Sequence, residues 1–171
     1  MKKLVAVVGG KHSGKTTVIE HLTAELKRRG LRVGTIKEMV RIPTLDTPAT
    51  ETDRYANAGA EVIVAVPRDE TVIFIKKRLS VAEILPLLQG LDYVILEGFE
   101  AETKIPRIIA AKTAEEAKSY LDGQVIAISG IITQSPKETA KAVNLKVPVL
   151  NSLTQSSELA DLVQQKATEL S

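Results

Sequence analysis

The feature that most constrains this chain is Gly9-Gly10-Lys11-His12-Ser13-Gly14-Lys15-Thr16, a G-x-x-x-x-G-K-T run set between two apolar segments of different period. Before it, Leu4 to Val8 is a short apolar run with three valines, the pattern of a strand buried on both faces. After it, residues 15–29 place Val18, Ile19, Leu22 and Leu26 on one helical face, and Gly30 follows where a left-handed C-cap is wanted. A glycine-rich turn from strand to helix curls so that successive backbone N–H groups point inward, and the helix start adds its positive end. The spacing therefore predicts a phosphate loop. Gly9, Gly10, Lys11, His12, Ser13 and Gly14 bind through their backbone in this reading. Lys15 bridges the β- and γ-phosphates, the Thr16 hydroxyl sits on Mg²⁺, and Thr17 completes the nucleotide-binding run. The side chains of Lys11 and His12 are expected to face solvent, and His21 reads as structural.

The rest of the chain alternates strand and helix signals. Leu31–Lys37 reads as a strand, residues 39–50 as a loop, and residues 51–58 as a short helix closed by Gly59. Glu61–Val66 and Thr71–Ile75 read as a hairpin. Ser80 with Glu83 forms a capping-box pattern ahead of a helix over 80–89. Strands are expected at Tyr93–Leu96, Ile105–Ala111, Gln124–Ser129 and Val147–Leu150, with helices over 113–121, 136–142 and 156–170. This alternation predicts a single α/β domain over residues 1–171, a P-loop NTPase-type mostly parallel sheet with helices on both faces.

Such a site needs a carboxylate near the cation, at the carboxyl end of a strand beside the first. Asp92 and Glu97 flank Tyr93–Leu96, about 16 Å apart along an extended chain. Only the carboxyl end faces the loop, so Glu97 is the metal and catalytic candidate alongside Lys15. The Gly98 N–H is expected to approach a γ-phosphate. Lys37 ends the second strand on the same edge and is a candidate for binding an anion. Lys104 and Arg107 are weighed as contacts to a second anion.

Composition enters here by exclusion. Twenty-three Lys+Arg against 21 Asp+Glu give a formal charge of +2, too balanced for a polybasic nucleic-acid binder. Aromatics at 3% leave little for base stacking, and zero Cys removes a thiol nucleophile or thiolate metal site. With no apolar run of 18 residues and no secretory pattern, a cytoplasmic protein without membrane partner is expected. No N-K-x-D signature for guanine is found. Ser129-Gly130 and Asn151-Ser152 mark where a base would be gripped.

The chain resembles the molybdopterin-guanine dinucleotide biosynthesis adaptor protein B family. The resemblance runs through Val5–Gly9, Gly14-Lys15-Thr16-Thr17 and Gly34-Thr35-Ile36-Lys37, where the family usually has a histidine next and this chain has Glu38. It continues at Asp46–Thr52, which is similar to the family's D-x-P-G-K-D-T with Ala49, Thr50 and Glu51 substituted in. Arg54, Ala58-Gly59-Ala60, Glu97-Gly98-Phe99 with Lys104-Ile105-Pro106, and Val147–Asn151 keep the family pattern. The resemblance implies a homodimeric GTP-binding protein with weak Mg²⁺-dependent GTPase activity. Its implied partners are molybdopterin guanylyltransferase, which joins GMP to molybdopterin, and molybdopterin itself. A P-loop small-molecule kinase is the alternative, disfavoured because no arginine-rich lid segment is found. The hairpin over 61–75 offers an apolar edge to a second copy.

Overall fold

The structure, a computed structural model, describes residues 2–39 and 50–169. The expected loop over 39–50, with Asp46 and Ala49, therefore lies almost wholly outside the described residues. Two compact units are formed, one from residues up to 38 together with 90 onward, the other from 39–89.

The larger unit is built on strand β1 (Lys3–Val8), whose last five residues are buried. Helix α1 (Lys15–Arg28) follows the glycine-rich loop, and strand β2 (Val33–Lys37) comes next. The smaller unit holds α2 (Glu51–Asn57), the antiparallel hairpin β3 (Val62–Ala65) and β4 (Val72–Ile75), and α3 (Val81–Ile84) with a 3-10 turn after it. The Ser80–Glu83 capping box is fully formed. The larger unit then resumes with β5 (Tyr93–Glu97), β6 (Arg107–Ala110), α4 (Ala114–Ser119), β7 (Val125–Ser129), α5 (Pro136–Val143), α6 (Ser156–Lys166) and β8 (Thr168–Glu169).

The sheet order is β2-β5-β1-β6-β7, and every pairing along that path is parallel. The chain fills one side of β1 with β2 and β5, then crosses to the other with β6 and β7. This switch leaves a crevice at the carboxyl end of β1, where ligands of open parallel sheets bind. Val5, Val7 and Ile95 pack with Val18, Leu22 and Leu26 of α1 and with Leu159 and Val163 of α6, all fully buried. Each such leucine stabilises the fold by about 1.5–3 kcal/mol. Leu4, Ala6, Val94 and Leu96, which alternate with them, are equally sealed. That two-sided burial explains why these strands read as unbroken apolar runs. Among the described residues no helix is long and apolar enough to cross a membrane.

Three expectations need correction. The helix expected over 80–89 is α-helical only over Val81–Ile84 and continues as a 3-10 turn over Leu85–Leu87, where Pro86 has no N–H to donate. The helix expected over 156–170 stops at Lys166, and Thr168–Glu169 turns back to pair antiparallel with Leu4 and Lys3. The stretch of β1 before Ala6 has no partner from β6, so its ladder is completed by β8. The strand expected at Val147–Leu150 is reduced to a single bridge, Val149 with Ile128. Pro148 lacks an N–H and accepts only, from Ile128 N–H at 2.8 Å.

Candidate functional site

The loop from Gly9 to Gly14 passes through conformations that L-residues resist. Gly9 sits at φ 140, and a Cβ there would lie 2.0 Å from the Ala110 carbonyl oxygen of β6. Gly14 at φ 96 caps α1, with its carbonyl accepting from Val18 N–H. His12 adopts φ 58 without the glycine exemption. The first turn of α1 has no side-chain cap and no acidic residue, so its orphan N–H groups and positive dipole end stay uncompensated. The loop is anchored from below by Ile131 N–H, which donates to the Ser13 carbonyl at 3.0 Å. Ser13 is buried, and its hydroxyl has no hydrogen-bond partner among the described residues.

Lys15 folds back over the loop. Its ammonium donates to the Gly9 and Gly10 carbonyls at 2.7 and 2.8 Å, which leaves one of three protons for an anion. Lys11 and His12 are exposed, as expected, and Thr16 and Thr17 are exposed as well. Parallel register sets Val7, Glu97 and Lys37 side by side at the same height. Glu97 Oε1 lies 2.9 Å from Lys37 Nζ. One cleft brings Lys15, Thr16, Lys37 and Glu97 together with loop residues 11–14.

Asp92 lies at the opposite end of β5. It accepts from Arg32 N–H at 2.7 Å and pairs with its guanidinium at 3.2 Å, which holds its carboxyl below the usual range. The Gly98 N–H, expected to face a phosphate, donates instead to the Val7 carbonyl at 3.0 Å. Glu38 Oε2 accepts from Phe99 N–H at 3.0 Å, so the residue that departs from the family pattern ties β2 to the turn after β5. Arg107 is not an anion contact. It is 4% exposed, donates to the Glu100 and Glu102 carbonyls, and pairs with Asp122 at 3.2 Å. Lys104 is exposed.

Sequence reasoning missed Lys112 and Glu116. Lys112 Nζ donates to the Lys11 carbonyl at 3.2 Å, and Glu116 accepts from Lys112 N–H at 2.7 Å. The Glu116 carboxylate lies 2.4 Å from where a Gly10 Cβ would sit, which closes that flank of the loop. The only signal was position: Lys112 stands two residues past β6, at the carboxyl edge.

A parallel sheet carrying a glycine-rich loop on its central strand, with Lys15 and Thr16 opening the next helix, defines an α/β protein built on a mostly parallel sheet. Residues 4–133 match the family described as Molybdopterin guanine dinucleotide synthesis protein B, MobB, and the chain belongs to that family. A Methanocaldococcus jannaschii relative named for an adapter role in molybdopterin-guanine dinucleotide biosynthesis is 31% identical over 156 residues. That match covers 87% of this chain but 64% of the relative's own length. A Bacillus subtilis relative with a similar name is 29% identical over 129 residues, 73% of this chain and 74% of its own. The crystal structure of Bacillus subtilis MobB superposes with a TM-score of 0.75 at 22% identity, covering 98% of this chain and 99% of that one. This last likeness establishes the shared fold.

Proposed function

We propose that this chain is a cytoplasmic GTP-binding adaptor of molybdopterin-guanine dinucleotide biosynthesis, with slow Mg²⁺-dependent GTPase activity. In that role it assists a guanylyltransferase in attaching GMP to molybdopterin. The observation that carries the reading is the convergence of Lys15, Thr16, Lys37 and Glu97 on one cleft beside an uncompensated helix start.

Residues 9–14 bind the phosphates through their N–H groups in this reading, and the free proton of Lys15 meets the β- and γ-oxygens. Among the described residues no three His, Cys, Asp or Glu side chains gather into an all-protein metal cage. The Thr16 hydroxyl and Glu97 carboxylate are hard oxygen donors. They fit Mg²⁺, which is held through one or two carboxylates together with substrate phosphates. Bound there, the cation neutralises charge developing on the phosphoryl oxygens. Lys37 then exchanges its Glu97 partner for a phosphate oxygen. Val62, Val64 and Ile73 share one exposed apolar face of the hairpin, which supports a homodimer.

Titration of the full chain with Mg²⁺ and GTP tests the assignment. Lys15→Ala is expected to weaken binding at least about tenfold, the loss of one charge-assisted hydrogen bond or more. Unchanged affinity in a folded variant overturns it.

A further inference from the structure

One peptide plane of the glycine-rich loop, between Lys11 and His12, is held against its own preference. His12 carries a side chain at φ 58, a left-handed conformation that persists only where the surroundings enforce it. Turning that plane over would carry His12 φ back to the negative side and relieve it. The plane is rigid, so its carbonyl and its N–H point in opposite directions. Which of the two faces the cleft decides what the cleft attracts. An N–H draws in a phosphate oxygen, and a carbonyl repels it.

The contact that holds the plane comes from Lys112. Its ammonium donates to the Lys11 carbonyl at 3.2 Å. Lys11 and His12 line the cleft with Lys15 and Glu97, whereas Lys112 stands outside it. The carbonyl is thus drawn outward, which turns the His12 N–H toward the cleft. That N–H has no partner among the described residues. Lys112 works from a fixed base. Its own N–H donates to Glu116 Oε2 at 2.7 Å, and Glu116 Oε1 lies 3.9 Å from its ammonium. Ala111 before it donates to the Ser129 carbonyl at 3.1 Å and accepts from Ile132 N–H at 2.7 Å. The start of α4 after it is tied to α5, because Ala114 N–H donates to Glu138 Oε2 at 2.9 Å. A lysine anchored on both sides can hold a strained peptide in place.

We infer that Lys112 is a positioning residue of the phosphate loop, which holds the Lys11–His12 peptide with its N–H toward the bound phosphate. The inference rests on the phosphate-binding reading given above. Lys112 touches no phosphate in this account and acts through the loop carbonyl alone.

The test titrates the full chain with Mg²⁺ and inorganic tripolyphosphate, reading affinity by calorimetry and each loop amide in proton–nitrogen correlation spectra. Lys112→Met keeps most of the stem and removes the donor, and Lys112→Arg keeps a donor. Lys112 is exposed, so its truncation leaves the core intact. Lys112→Gln, polar but shorter, repeats the test should the Met variant fail to fold. Lys112→Met is expected to bind about tenfold or more weakly, the loss that follows one hydrogen bond to a charged group. At saturation its His12 amide is expected to lose the downfield shift of an N–H bonded to phosphate, while the Gly14 and Lys15 amides keep theirs. Lys112→Arg is expected to recover both the affinity and the His12 shift. A His12 shift that survives in Lys112→Met overturns the inference, and a fall in affinity alongside it makes Lys112 a direct phosphate ligand instead. Shifts lost at all loop amides alike, or an Arg variant no better than Met, also overturn it. In each of these cases Lys15-dependent tripolyphosphate binding by the unaltered chain still stands. Tripolyphosphate binding that ignores Lys15→Ala removes the phosphate reading itself, and the inference with it.

Discussion

Glu97 and Asp92 belong to one strand and serve opposite edges of the sheet. Glu97 is half-buried beside Lys37 at the mouth of the glycine-rich loop, whereas Asp92 is spent on Arg32. Mg²⁺-dependent GTP turnover should therefore fall at least about tenfold in Glu97→Gln, which keeps the shape and removes the charge. Asp92→Asn should leave turnover within about twofold, because its charge is roughly 16 Å away and salt screens beyond about 8 Å. The reverse outcome would place the cation at the wrong end of the strand. Both placements were legible in the sequence, since a strand's direction fixes which terminal residue meets the loop. Arg107 was not legible. A lone arginine after a polar loop reads as solvated, yet here it is sealed between β6 and the turn before it because three oxygens await its guanidinium. Arg107→Met should cost about 2–3 kcal/mol in a urea titration, the value of hydrogen bonds to a charged donor. Unchanged stability would mean that those carbonyls find other partners.

At the level of elements, strands and helices with strong periods were read to within a residue or two. Val18, Ile19, Leu22 and Leu26 mark α1 because they bury one stripe against β1 and β5. What escaped was short or held by tertiary contacts alone: β8 has two exposed residues and exists because β6 pairs with β1 only from Ala6 onward, which leaves Lys3 and Leu4 to it. A polar lock also joins α1 to α6, which no periodicity announces. Glu25 is 7% exposed and accepts from Arg28 at 2.7 and 2.8 Å and from Arg29 at 2.8 Å. Arg29 continues to Asp161 and to the Ser157 carbonyl on α6. The bonds from Arg28, then those from Arg29, hold the Glu25 carboxyl down from 4.5 to about 2. The folded state thus binds that proton less tightly than the unfolded chain does. Its contribution to stability is complete above about pH 4.5 and is lost as pH falls through about 2. Glu25→Gln should be less stable at neutral pH and should flatten the acid limb of the stability–pH curve in that window. An acid limb identical to that of the unaltered chain would show that the lock carries no linkage.

For the whole molecule, the hairpin face with Val62, Val64 and Ile73 bears on assembly. Sedimentation should give about twice the 18.5 kDa chain mass, and Val64→Lys should reduce it to one chain. A monomer in the unaltered chain removes the dimer. The ligand prediction concerns the larger unit, because the glycine-rich loop and its cleft with Lys37 and Glu97 lie within residues up to 38 and from 90 onward. A ligand that binds only the folded state stabilises it by about 2.7 kcal/mol at a hundred times its dissociation constant. For a chain of this length that corresponds to a rise of about 5–11 °C in Tm. Hydrogen exchange assigns the effect: with Mg²⁺ and GTP, protection should rise in peptides from β1, α1 and β5, which share one buried cluster. Lys15→Ala should abolish both the shift and the protection, and removing Mg²⁺ with EDTA should diminish them. A thermal shift that survives Lys15→Ala would place the nucleotide away from the glycine-rich loop, whatever its affinity.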